Sequence, residues 1–316
     1  MQTRIETYLK TNTPYLTDGG LETTLIFQDG VDLPHFASFT ELGSSAGRAR
    51  LDKYFGAYMD AAREQKTGFV LDTVTWRANA AWGAVMGNDH SAITKINQDA
   101  VAYAIRLRDA FETDTFPIVV DGVVGPAGDG YAIDEELLPE AAQKIHSVQI
   151  NAFAASGVDL VTAVTMTHAG EAIGVVRAAQ AAEVPVVVSF TVETDGKLPS
   201  GQTIEEAIAQ VDAATSNGPK YFMINCAHPD HFDNALKRGE TWMARISGIR
   251  ANASRMSHAE LDEAEELDDG NPSELASEYQ RLQDLLPHLK VLGGCCGTDH
   301  RHVSAIGHAC IHKRAA

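Results

Sequence analysis

The chain's 316 residues are enough for one large domain, and a composition of 44% hydrophobic and 22% charged residues excludes an intrinsically disordered protein. No apolar run approaches the ~18–20 residues needed to span a bilayer, and the opening MQTRIETYLKTNTPYL has no apolar core of signal-peptide length, so a cytoplasmic protein is expected. With 43 acidic against 25 basic residues and a net charge of −18, nucleic acid and anionic membrane surfaces are excluded as partners.

Short β-branched apolar segments alternate along the chain with longer Ala-rich amphipathic ones, and Gly or Pro marks the joins. Strands are expected at residues 15–20, 69–76, 117–124, 160–166, 185–192, 221–227, 242–249 and 290–294. Helices are expected at 48–65, 91–111, 134–156, 171–182, 203–217, 231–237 and 272–286. Leu51, Phe55, Tyr58 and Ala62 recur at helical spacing in the first of these. Thr203 precedes Glu206 by three residues, a capping box, and Asn271-Pro272 sets a cap before a proline at the first helical position. Eight strands alternating with helices predict a (β/α)8 TIM barrel, and no linker divides residues 1–316, so a single domain is expected. An open doubly wound sheet fits less well, because Asp18-Gly19-Gly20-Leu21-Glu22-Thr23 after the first strand is not a G-x-G-x-x-G phosphate loop.

Four cysteines in a chain of this size do not make a disulfide framework, and reduced thiols are expected. Cys226 follows the sixth strand and Cys295-Cys296 the eighth, at the barrel face where such enzymes place their chemistry. Three thiolates from two distant segments suit a soft-ligand zinc site with one tetrahedral position left for an exogenous group. Consecutive side chains on a strand point to opposite faces, so Cys295 and Cys296 can share one ion only if the backbone bends among the surrounding glycines. Cys310 is expected to be a small buried apolar residue, and His228, His231, His300, His302 and His308 have no spacing that places them on the ion. Residues 260–269, ELDEAEELDD, read as a solvated acidic loop with no cationic neighbours and no calcium-loop spacing.

Asp18-Gly19-Gly20-Leu21-Glu22-Thr23, Gly125-Pro126-Ala127-Gly128, Asn225-Cys226 and Gly293-Gly294-Cys295-Cys296-Gly297-Thr298, the last followed by His302-Val303, together resemble the homocysteine S-methyltransferase family almost end to end. That resemblance implies a zinc barrel whose metal ligands match Cys226, Cys295 and Cys296. It implies a small-molecule thiol acceptor, homocysteine, and a sulfonium or ammonium methyl donor, hence a place in methionine biosynthesis. Homo-oligomerisation is left open. Asp18, Gly19 and Gly20 would form a backbone cradle for the amino-acid end of the acceptor.

Three positions depart from the family pattern. Val164 stands where relatives carry the glutamate that holds the substrate ammonium, while Glu171 matches a later glutamate expected on a helix surface. Arg77 replaces a donor-region aromatic and suits a substrate carboxylate. Phe36 replaces a loop tryptophan; with Trp76 and Tyr131 it could form an aromatic wall for a methylated cation. These changes admit two alternatives: a mercapto-carboxylate acceptor lacking the ammonium, or a zinc-containing thiol-binding protein without methyl transfer.

Overall fold

The computed structural model describes residues 3–133 and 136–311. The expected strands form as β1 (Tyr15–Leu16), β2 (Phe69–Asp72), β3 (Ile118–Val124), β4 (Leu160–Met166), β5 (Val186–Phe190), β6 (Phe222–Asn225), β7 (Ile246–Ala251) and β8 (Val291–Gly294). All pairs are parallel, and β1 closes on β8 through Tyr15 opposite Val291, giving a closed barrel in chain order. This is the expected (β/α)8 architecture. Among the described residues, no helix is long and apolar enough to cross a membrane.

Alternation along the strands decides what the barrel encloses. Phe69 and Leu71 of β2 and Ile118 and Val120 of β3 pack outward into the large cluster shared with the helices. Val70 and Val119 point inward and join Leu160, Val187, Met223 and Val291 in a separate inner cluster. The helix Arg4–Lys10 closes the lower end of this cluster, with Tyr8 and Tyr221 hydroxyls 2.6 Å apart. Two residues further along the same inward rows stand Asp72, Asp121, Thr162 and Asn225. The inner layer just below the mouth is therefore polar, although every one of these side chains is buried.

Several boundaries are shorter than the apolar runs suggest. Beyond Asp72, Thr73 Oγ1 accepts from Val123 N (3.0 Å) and Thr75 Oγ1 donates to the Val123 carbonyl (2.7 Å). Threonine side chains thus replace the ladder and let the chain leave β2 early. The strand expected from residue 242 begins at Ile246, because Thr241–Arg245 is a 3-10 turn. Arg245 is fixed there by two bonds to Asp212, each 2.8 Å. The helix expected at 231–237 is a short turn, Pro229–Phe232, followed by a 3-10 segment. The helix expected from residue 134 runs over Pro139–Ser156, and residues 134 and 135 lie outside those described. Both cap signals form as read: Thr203 and Glu206 make a complete capping box, and Asn271 Oδ1 accepts from the Ser273 and Glu274 amides.

Candidate active site at the barrel mouth

The cysteines meet as their strand positions require. The ladder of β8 extends to Cys295, whose amide donates to the Ala251 carbonyl (2.8 Å), so Cys295 continues the inward row. The chain then turns: Thr298 N and Oγ1 both donate to the Cys295 carbonyl, and Gly297 takes φ 77°. The bend thus lies at Gly297, after the pair. Gly294 and Gly20 serve close packing instead: a Cβ would lie 2.0 Å from Thr298 Oγ1 at the first and 2.7 Å from the Cys295 carbonyl at the second. Just past β6, Cys226 adopts φ 54°, and its sulfur lies 3.9 Å from Cys296 Sγ. All three sulfurs lie within 4.8 Å of one another.

One expectation about these thiols is corrected. Cys226 and Cys295 are joined as a disulfide, their Cα atoms 5.3 Å apart, a spacing within ordinary disulfide reach. The same convergence that suits a shared ion also lets two of the sulfurs bond when no ion separates them. Cys296 is free, and burial pushes its thiol up to about 11, against the pull of the Tyr131 hydroxyl 3.3 Å away. A buried thiol of this kind ionises only beside a cation. Three soft donors within reach of one point therefore fit a thiophilic dication once the disulfide is reduced. Cys310 is fully buried, as expected.

Asn225 organises the approach to this cluster. Its Oδ1 accepts from Thr165 N (2.9 Å) and Ser189 Oγ (2.6 Å), and its Nδ2 donates to Thr165 Oγ1 (2.9 Å) and approaches Cys295 Sγ (3.9 Å). Thr165 needs this hold, because it sits at φ 59°, a left-handed conformation that is strained for a β-branched residue. Opposite, Tyr131 stacks on His258 at 4.1 Å, and His258 Nε2 lies 2.7 Å from the Cys226 carbonyl.

The remaining predicted residues line the same cavity, with changed roles. The Gly20 amide is already bonded to the Thr298 carbonyl (3.0 Å), so it adds no donor to the expected cradle. Asp18 instead presents its side chain, paired with Arg250, which also pairs with Asp72. Burial pushes Asp18 up to about 7, opposed by Arg250 and reinforced by Asp72. Asp72 and Arg250 were not singled out from the sequence. A lone Asp or Arg within an apolar strand carries no local motif, and only its inward register would have marked it.

Arg77 is 5% exposed and sandwiched between Trp76 and Trp82, its guanidinium 3.9 and 4.0 Å from the two rings. Its Nη1 donates to the Gly128 carbonyl (3.0 Å), while its buried Nε has no partner among the described residues. Burial lowers its pKa to about 10, with Asp129 and Glu22 opposing. One face of Trp76 thus packs on Arg77 and one face of Tyr131 on His258, while both residues line the cavity. Phe36, 46% exposed, is left at the rim.

Two further expectations change. Glu171 is buried, accepting from the Ala127 amide (2.7 Å) and lying 2.8 Å from His146 Nε2, so it anchors the loop after β3 rather than a helix surface. The acidic run is docked at both ends. Asp262 lines the cavity, and Asp269 pairs with Arg301 (2.7 Å) while its carbonyl meets His302 Nε2 (2.8 Å).

A closed parallel barrel with a polar inner layer and a sulfur cluster at the carboxyl ends of its strands defines the class: a (β/α)8-barrel enzyme built for chemistry at sulfur. The chain belongs to the homocysteine S-methyltransferase family, whose profile matches residues 15–310, and is an S-methyltransferase acting on small molecules. The structure is similar to the oxidized form of the Escherichia coli homocysteine methyltransferase MmuM, at 20% identity over 96% of this chain and 99% of that one, with a TM-score of 0.77. Its similarity to the metallated form is comparable: 19% identity, 97% and 99% coverage and a TM-score of 0.75. At these identities the likeness is one of fold. No curated protein matches the chain by sequence.

Proposed function

We propose that the chain is a zinc-dependent S-methyltransferase, with Cys226, Cys295 and Cys296 as the metal ligands and homocysteine or a closely related thiol as acceptor. The observation that carries this reading is the convergence of the three sulfurs within 4.8 Å at the ends of β6 and β8. A metallated form of MmuM, on the same fold, supports it. Bound zinc supplies the positive charge that lowers the pKa of an acceptor thiol and keeps its sulfur nucleophilic near neutral pH.

The chain's own groups then position the reactants. Asn225 Nδ2 and the Tyr131 hydroxyl point at the cysteine sulfurs and fix their orientation. Arg77, a buried cation with an unpartnered Nε, receives a substrate carboxylate, for which its planar N–H groups are suited. The acceptor sulfur forms a bond to the donor's methyl carbon as the bond from that carbon to a sulfonium sulfur or ammonium nitrogen breaks. The bonding pair leaves with the donor heteroatom, which becomes neutral, and the acceptor's proton has already passed to solvent. The acidic chain acts on small molecules in the cytoplasm, a reducing compartment in which the Cys226–Cys295 bond opens and frees its sulfurs, and not on nucleic acid or membranes.

Arg77 also favours a second reading, a mercapto-carboxylate acceptor without an ammonium. A thiol panel assayed with sulfonium and ammonium donors, under reducing conditions, tests both. Metal analysis of Cys226→Ala and Cys310→Ala accompanies it. The expected result is about one zinc per chain, lost in Cys226→Ala and kept in Cys310→Ala, with turnover following the metal. Full zinc occupancy in Cys226→Ala would refute the ligand assignment, and turnover with none of the panel would refute methyl transfer.

A further inference from the structure

Beneath the cysteines, two carboxyl groups of the cavity wall, Asp18 and Asp72, share a single guanidinium, that of Arg250. Arg250 is fully engaged: Nε donates to the Gly294 carbonyl (3.2 Å), Nη1 to Asp72 Oδ2 and Nη2 to Asp18 Oδ1. Asp18 is also satisfied on its second oxygen, which accepts from the Tyr54 hydroxyl (3.1 Å). Asp72 is not. Its Oδ1 is buried without a hydrogen-bond partner among the described residues, in a side chain only 8% exposed that lines the cavity containing all three cysteines.

A carboxylate oxygen buried without a donor costs several kcal/mol in principle, and such a position is stable only if a ligand supplies the donor or another group compensates. Two carboxyl groups share one guanidinium, and the complement missing at Asp72 Oδ1 is an N–H donor, which a cationic group supplies best. An ammonium group has both properties. Asp121 also has an unpartnered oxygen, but it lies outside the cavity wall.

We propose that Asp72 Oδ1 receives the α-ammonium of an amino-acid acceptor, with Arg250 as the residue that positions it. This supplies, from β2, the anchor that Val164 on β4 cannot offer. The assignment rests on the reading that the acceptor is a thiol held by its sulfur at the cysteine cluster.

Binding of four ligands to the reduced protein separates the two claims: homocysteine and 4-mercaptobutyrate, which differ only in the amino group, and methionine and 4-(methylthio)butyrate, the corresponding thioethers. Wild-type protein should prefer the amino member of each pair by about tenfold or more. Asp72→Asn keeps an oxygen for Arg250 and should reduce that preference to about threefold or less, with affinity for the desamino ligands unchanged, which also shows that the variant is folded. A preference that survives in Asp72→Asn overturns the assignment, as does its absence in the wild type. An equal loss for both members of a pair also overturns it, because Asp72 would then be only a structural partner of Arg250. The advantage of thiol over thioether reads the sulfur claim separately. If it is absent while the amino preference still depends on Asp72, the anchor stands and the metal reading fails.

Discussion

The two halves of the cavity hold their reactive groups by different physics. On the β6–β8 side the side chains are soft and nearly neutral, oriented by weak contacts such as Asn225 Nδ2 to Cys295 Sγ at 3.9 Å and Tyr131 to Cys296 Sγ at 3.3 Å. Toward β1 and β2 they are charged and tightly paired, with Arg250 reaching across from β7 to lie between Asp18 and Asp72. A sulfur cluster has little to recognise until a cation organises it. A buried ion cluster discriminates between ligands from the start, because any mismatch leaves a charge unpaired. On the proposed function, one half activates sulfur and the other selects the substrate.

The largest effect expected on the sulfur half comes from Asn225. Its side chain makes two hydrogen bonds to Thr165, which is held in a strained left-handed conformation, and bonds Ser189 inside the barrel. Asn225→Ala should therefore cost about 2–4 kcal/mol, from lost buried hydrogen bonds and the unsupported strain. Chemical denaturation of the reduced protein measures this. A loss below about 0.5 kcal/mol would mean that Thr165 holds its conformation unaided and that the sulfur half is not organised through Asn225.

The charged half answers to a different test. Arg77 stands in the cavity between two tryptophans with Nε unpartnered. Arg77→Met should leave folding stability unchanged or slightly raised, since an apolar side chain fits between the rings without a buried charge. The same change should lower kcat/KM for a carboxylate-bearing substrate about tenfold to a hundredfold while leaving its methyl ester unaffected. Equal losses for acid and ester would show that Arg77 only braces the tryptophans.

The two halves also differ in how far the sequence discloses them. Cysteines are rare, and two of them beside strand-end glycines, with a third after another strand, announce a sulfur cluster at one barrel mouth. Closure of the barrel was legible for the same reason, since periodicity marks each strand. The charged pole was hidden because Asp72 and Arg250 become neighbours only when β2 and β7 close into one barrel. No spacing along the chain records that meeting. Val164 lines the cavity as an apolar residue, and the carboxyl groups of Asp18 and Asp72 in the same cavity carry no sequence pattern that would have set them against it. Of the aromatic residues read as a wall, Phe36, Trp76 and Tyr131 all line the cavity, and the chain stacks its own Arg77 and His258 on the last two.

The acidic run 260–269 gives the smallest effect and the sharpest boundary between the halves and the surface. Its seven carboxylates were read together as a solvated loop, yet three of them stand apart from the others. Glu260 caps the short helix His258–Asp262 through Ser257, Asp262 reaches the cavity wall, and Asp269 is tied to Arg301 and His302. Glu263, Glu265 and Glu266 are exposed, and exposed charges that face solvent contribute within about 0.5 kcal/mol each. Changing these three to Gln should therefore leave metal content, stability and kcat/KM within about twofold of wild type. Asp269→Asn should cost a little more, about 0.5–1 kcal/mol, because it removes a partly exposed ion pair with Arg301. Denaturation curves and turnover of the two variants side by side decide the matter. If the triple Gln variant loses tenfold in kcat/KM while Asp269→Asn does not, the exposed carboxylates reach the substrates, and the anionic influence on the cavity extends beyond Asp18 and Asp72 to its rim.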